Sequence, residues 1–76
     1  MKPERLVAML NDIAAFFAAD PDRARAVAGV EDHVRRFWEA RMTRDLLAHV
    51  RAGGVGLSPL AADAAQRLAE RGAVDP

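Results

Sequence analysis

Apolar residues recur at helical spacing along most of this chain, and that periodicity restricts it to a helical fold. Leu6, Met9, Leu10, Ile13, Phe16 and Phe17 fall at i, i+3, i+4, i+7, i+10 and i+11, with Arg5, Ala8, Asp12, Ala15 and Ala19 on the other side. No β-branched alternation competes with this stripe. Val27, Val30, Val34, Phe37 and Arg41 repeat the period further on, with Trp38 beside them, while Glu31, Asp32, Arg35, Arg36 and Glu39 occupy the opposite side. Residues 29–42 therefore read as an amphipathic helix with an aromatic end. This stretch holds the only Trp, one of the Phe residues and His33, and the remaining segments read as helices that pack on it. The expectation is an all-α fold over residues 1–76 as one domain: a small bundle of three principal helices plus a weaker C-terminal helix.

Local signals set the expected boundaries. The first helix spans residues 3–19, with Pro3 in its first turn and Glu4 at the positive end of its dipole. The two adjacent Phe span a wide arc, so one of them falls at the margin of the core. Asp20 is the expected cap of a second helix over residues 21–38, with Pro21 at its first position. Gly29 costs that helix roughly 1 kcal/mol relative to Ala. It marks either a kink or helix start, or a close approach to the first helix.

No Gly or Pro separates Trp38 from Thr43, so the chain either breaks there or runs on as one helix to Ala52, carrying Met42, Leu46, Leu47 and Val50. Gly53 and Gly54 end it, and residues 53–57 are expected to be the most flexible segment. Ser58 followed by Pro59 starts the last helix, over residues 59–71. Its apolar side of Leu60, Ala61, Ala64, Ala65 and Leu68 is rich in Ala and is expected to dock weakly. Gly72 is the expected stop, and residues 73–76 the expected frayed end. The expected core is Leu6, Leu10, Ile13, Phe17, Val30, Val34, Phe37, Met42, Leu46 and Val50.

Composition narrows the function classes. At 76 residues the chain buries only about 60% of its unfolded surface, so a chain like this often needs a staple or a partner. With no Cys it offers no disulfide, thiolate zinc site or cysteine-ligated cluster, and its two His are too few for a typical structural zinc site. A protein partner is the support left open. Eleven basic and eleven acidic residues cancel, which argues against nucleic acid and anionic membranes. No apolar run is long enough to span a bilayer, and the N-terminal apolar segment is interrupted by Asn11 and Asp12, unlike a secretory signal. A cytoplasmic location is expected.

Reaction chemistry is not visible. Ser58 and Thr43 are the thin nucleophile candidates, and Ser58 reads as a cap. His33 and Asp32 are adjacent and diverge on a helix, whereas His49 follows Asp45 at i+4 in a common surface pairing. Gly53-Gly54-Val55-Gly56 follows a helix and lacks the context of a phosphate loop. No catalytic, cofactor-binding or metal-binding residue is expected. A small DNA-binding regulator is the obvious alternative for a helical chain, with Arg41, Arg44 and Arg51 as its basic side. Asp45 among them and the zero net charge make that side a solvated face. Trp38 and Arg41 are residue types enriched at interface hot spots, and Trp38 belongs either to the core or to an interface.

The order of several short strings resembles one family. Leu6-Val7-Ala8-Met9, Ile13-Ala14-Ala15-Phe16-Phe17, Gly29-Val30 with Asp32-His33, Phe37-Trp38 with Arg41-Met42, Leu46-Leu47-Ala48-His49 and Gly56-Leu57-Ser58-Pro59-Leu60 together resemble the delta subunit of cytosolic NAD-dependent formate dehydrogenases. The family commonly has Gln where this chain has Asp12. It often has Pro where this chain has Ala40, which favours a helix break near Glu39.

The resemblance implies a non-catalytic accessory subunit of a complex that oxidises formate to carbon dioxide with NAD as acceptor. In that family an alpha subunit carries a molybdenum or tungsten guanine-dinucleotide cofactor and iron–sulfur clusters, and beta and gamma subunits carry FMN and further clusters. The delta subunit supports assembly or stability of the active enzyme by docking on the catalytic subunit. The alternative is a dissociable assembly factor that aids cofactor insertion, with or without a dedicated chaperone. His33, Phe37, Trp38, Arg41 and Met42, in the most family-like string, are the expected partner-binding residues.

Overall fold

The computed structural model describes residues 1–71. There the chain forms four α-helices, with no strand among the described residues: α1 (Pro3–Phe17), α2 (Arg23–Phe37), α3 (Ala40–Arg51) and α4 (Pro59–Glu70). The all-α expectation is met. The expected stop at Gly72 and the expected fraying of residues 73–76 lie outside the described residues.

The starts follow local chemistry. Pro3 opens α1 behind an extended Lys2, with Glu4 in the first turn. The expected cap at Asp20 is corrected to Asp22, whose side chain accepts a hydrogen bond from the Arg25 backbone N–H, so α2 starts two residues later than expected. Asp20 has another task. Its carboxylate accepts from the Asp22 N–H at 2.9 Å and from Arg25 Nε at 2.6 Å, and this fixes the turn that contains Pro21. Ser58 caps α4 as expected, accepting from the Ala61 N–H.

The open question between residues 38 and 43 resolves as a break. α2 ends at Phe37, Trp38 and Glu39 are extended, and α3 begins at Ala40. No proline is needed at position 40 for the chain to turn. The end of α3 is a glycine cap. Gly53 N–H donates to Val50 O and Gly54 N–H to His49 O, with both glycines at positive φ.

One core cluster is shared by all four helices. Leu6, Leu10 and Ala14 come from α1, Ala26, Val27, Val30 and Val34 from α2, Leu46 and Leu47 from α3, and Leu60, Ala61, Ala64, Ala65 and Leu68 from α4. Of the expected core, Ile13, Phe17, Met42 and Val50 pack against this cluster only partly buried. Phe37 is a correction: it is 71% exposed. As the last residue of α2 it lies where the chain turns, and Trp38, next in sequence, packs against the cluster instead.

Two other expectations change on packing. The Ala-rich side of α4 is entirely buried and packs on α1, α2 and α3, most extensively on α2. Small side chains let the helices approach closely, so docking is not weak. Glu31, placed by periodicity on the solvated side, is only 3% exposed, because α4 covers it.

The loop after α3 is tied down rather than free. Asn11 Nδ2 donates to Gly56 O and its Oδ1 accepts from the Ser58 N–H, both at 2.9 Å, while His49 Nε2 donates to Val55 O at 2.9 Å. His49 therefore serves the loop and not Asp45.

Candidate partner-docking site

Gly29 decides the shape of the surface between α1 and α2. A Cβ built there would lie 2.5 Å from two carbons of the Phe17 ring, so the ring rests directly on the α2 backbone. Of the two readings of Gly29, close approach is the observed one, and α2 continues through it as a helix. Phe17 is thereby drawn partly into the core, and Phe16, its neighbour, projects outward at 77% exposure. The two rings stack edge to face with centroids 5.1 Å apart.

Next to this pair runs an open depression of about 350 Å³ lined by Asp12, Ile13, Phe16, Phe17 and His33. His33 is half-buried, and its ring meets that of Phe37 with centroids 4.8 Å apart, tilted by 48°. The exposed Phe37 ring thus extends the aromatic surface along α2.

The expected partner-binding residues divide between two places. The structure brings His33 and Phe37 together on this aromatic surface. Trp38 and Met42 are half-buried against the core cluster at the α2–α3 turn. Arg41 is exposed, and among the described residues it forms no ion pair and no stack on Trp38. Sequence reasoning missed Phe16, Ile13 and Asp12 as neighbours of His33. The adjacent phenylalanines were the available signal, since two neighbouring rings on one helix cannot both face one core.

A second cluster lies between α2 and α4. The buried Glu31 carboxylate faces Arg71 Nε at 3.3 Å, Arg67 Nη2 at 3.8 Å and Arg35 Nη1 at 3.9 Å, all three arginines being about half-exposed. One of its oxygens, Oε2, makes no hydrogen bond. The attraction holds α4 across α2 without closing the geometry of any one pair. At the other end of α2, the hydrogen bond from the Arg25 guanidinium, reinforced by the Asp22 N–H, holds the Asp20 carboxyl below its ordinary pKa.

Among the described residues no group of three or more His, Cys, Asp or Glu is placed to hold a metal ion, and no helix is long and apolar enough to cross a membrane. Ser58 is engaged as a cap and His49 with the loop carbonyl of Val55. The surface between α1 and α2 offers apolar contact and aromatic rims, with the Asp12 carboxylate at its edge.

Comparison with known proteins agrees with the family suggested by the sequence. No curated protein and no solved structure matches the chain. The sequence model of the family described as NADH-dependent formate dehydrogenase delta subunit, FdsD, matches residues 5–65, which take in α1 from its third residue, all of α2 and α3, and the first half of α4. The chain belongs to that family of formate dehydrogenase delta subunits.

Proposed function

We propose that this chain is an accessory subunit of an NADH-dependent formate dehydrogenase complex, which docks on the catalytic subunit in the cytoplasm and supports assembly or stability of the active enzyme. The family match over residues 5–65 carries this reading. Two features of the chain support it. Its aromatic residues exceed what so small a core encloses, leaving Phe16 and Phe37 exposed. It has no Cys with which to ligate a cluster. On this reading the molybdenum or tungsten cofactor, the clusters and FMN of such a complex are held by the other subunits. On this reading His33, Phe37 and Arg41 belong to the docking surface, with Trp38 and Met42 shaping it from beneath.

Size-exclusion chromatography of the active complex tests the proposal. A permanent subunit elutes with the enzyme at fixed stoichiometry through successive columns. Loss of the chain with full retention of formate oxidation would replace this reading by that of a dissociable assembly factor. Complete absence of binding to any formate dehydrogenase subunit would reject both.

A further inference from the structure

We infer that the depression between α2 and α4, where Arg35, Arg67 and Arg71 converge on the buried Glu31, binds an oxyanion of the phosphate class. This goes beyond the accessory-subunit reading and does not depend on it.

Helix geometry builds the site. Ala28, Glu31, Asp32 and Arg35 fall at i, i+3, i+4 and i+7 on α2, and Arg67 and Arg71 at i and i+4 on α4. These six residues line a depression of about 270 Å³. Glu31, almost wholly buried, draws the three guanidiniums to one place. Each turns a single nitrogen toward it: Nε of Arg71, Nη2 of Arg67 and Nη1 of Arg35. None of these approaches closes as a hydrogen bond to Oε2. Arg23, Arg25 and Arg36, by contrast, each donate a hydrogen bond to an aspartate. The three guanidiniums of the depression are about half-exposed, so their other N–H groups face solvent at its rim.

The charge balance selects the ligand. Three guanidiniums meet one carboxylate in Glu31, which leaves a local surplus of two positive charges. Asp32 does not cancel it, because Arg36 pairs with Asp32 at 3.0 Å. Asp63 and Glu70 line the neighbouring depression on the other side of Arg67, where Arg23 takes up Asp63. Holding three like charges together beside a single buried acid is repulsive, and a dianion relieves that repulsion. Phosphate carries close to two negative charges near neutral pH and offers several acceptor oxygens, and guanidinium forks match such oxygens. Three forks around one point suit a phosphoryl group better than the two oxygens of a carboxylate.

The test is a titration of the full chain with inorganic phosphate, followed by nuclear magnetic resonance, with chloride at matched ionic strength as the reference. Saturable shifts are expected at the Nε–H groups of Arg35, Arg67 and Arg71, with a dissociation constant of about 1 mM or lower. Arg35→Gln/Arg67→Gln, with its helicity checked by circular dichroism, is expected to bind at least about tenfold more weakly. Arg44→Gln, which removes an exposed arginine of α3 without an ion pair among the described residues, is expected to bind like the parent.

Shifts that rise without saturation, or that chloride reproduces, mean an adventitious ion only and overturn the inference. Equal weakening by Arg44→Gln and by the double variant overturns it too, since the attraction would then belong to the whole surface. A dicarboxylate that binds as tightly as phosphate overturns the assignment to the phosphate class. A phosphomonoester titrated in parallel identifies the source. Tighter binding than inorganic phosphate at the same three arginines supports a phosphoryl group carried on a larger molecule, and equal or weaker binding supports the free ion. The titration of the parent protein decides the matter even if the double variant misfolds.

Discussion

Asp20 and Glu31 are both carboxylates beside arginine, and their settings give different expectations. Asp20 is near the surface, and its folded pKa is depressed by Arg25 and the Asp22 N–H. A depressed carboxyl contributes stability above its unfolded pKa and loses that contribution as pH falls through the folded value. Asp20→Asn should therefore melt slightly below the parent at neutral pH, with the gap closing on acidification below about pH 4. Thermal melts of both proteins over that range check this, and a gap that widens in acid would contradict it. Glu31 is buried, and three guanidiniums share it. Glu31→Gln keeps the volume but turns an amide toward those donors, and it should cost about 1–3 kcal/mol. Arg35→Ala, Arg67→Ala and Arg71→Ala should each cost less, about 1 kcal/mol or under, because two partners remain. Urea denaturation separates the cases. A Glu31→Gln protein more stable than the parent would mean that desolvation of the carboxylate outweighs its attraction to the arginines.

Between elements, the decisive contacts are those that periodicity does not encode. The first stripe and the Val30–Val34 line put the right sides of α1 and α2 inward, because helical spacing reports which side of one helix is apolar. It does not report what covers the other side, and so Glu31 under α4 was not legible. Caps were only partly legible: two aspartates flank Pro21, and the choice of Asp22 depends on Asp20 being taken up by Arg25. The aromatic groove between α1 and α2 was half visible, through His33 and Phe37. Its other wall depends on how closely α1 approaches Gly29, which is a tertiary fact. Gly29→Ala tests that approach. Helix propensity favours Ala by roughly 1 kcal/mol, but the new Cβ must displace the Phe17 ring. Overpacking of this kind costs about 1–3 kcal/mol, so a net loss of stability is expected. A net gain would show that the ring moves aside freely. Asn11 links α1 to the loop before α4 through two hydrogen bonds. Asn11→Ala should lower stability by about 1–3 kcal/mol. Faster amide exchange should accompany it at Ser58 and in the loop, and leave α2 unchanged.

For the molecule as a whole, a core built largely from Leu, Val and Ala in so short a chain leaves a narrow margin between folded and unfolded states. If the chain docks as proposed, a partner that recognises only the folded chain widens that margin by mass action, adding about 2.7 kcal/mol at a free concentration a hundred times its dissociation constant. A core substitution should therefore behave differently alone and in the complex. Leu10 is fully buried at the meeting of the helices, and Leu10→Ala should cost about 2–5 kcal/mol. The isolated variant is expected to lose most of its helicity at 37 °C, whereas the same variant co-expressed with the catalytic subunit is recovered folded at reduced yield. Circular dichroism of the isolated chain and the stoichiometry of the purified complex give the two readings. If the isolated variant melts like the parent, Leu10 is not a central packing residue. If it is unfolded alone and also absent from the complex, the partner does not supply the missing stability, and the exposed aromatic surface does not compensate for the small core.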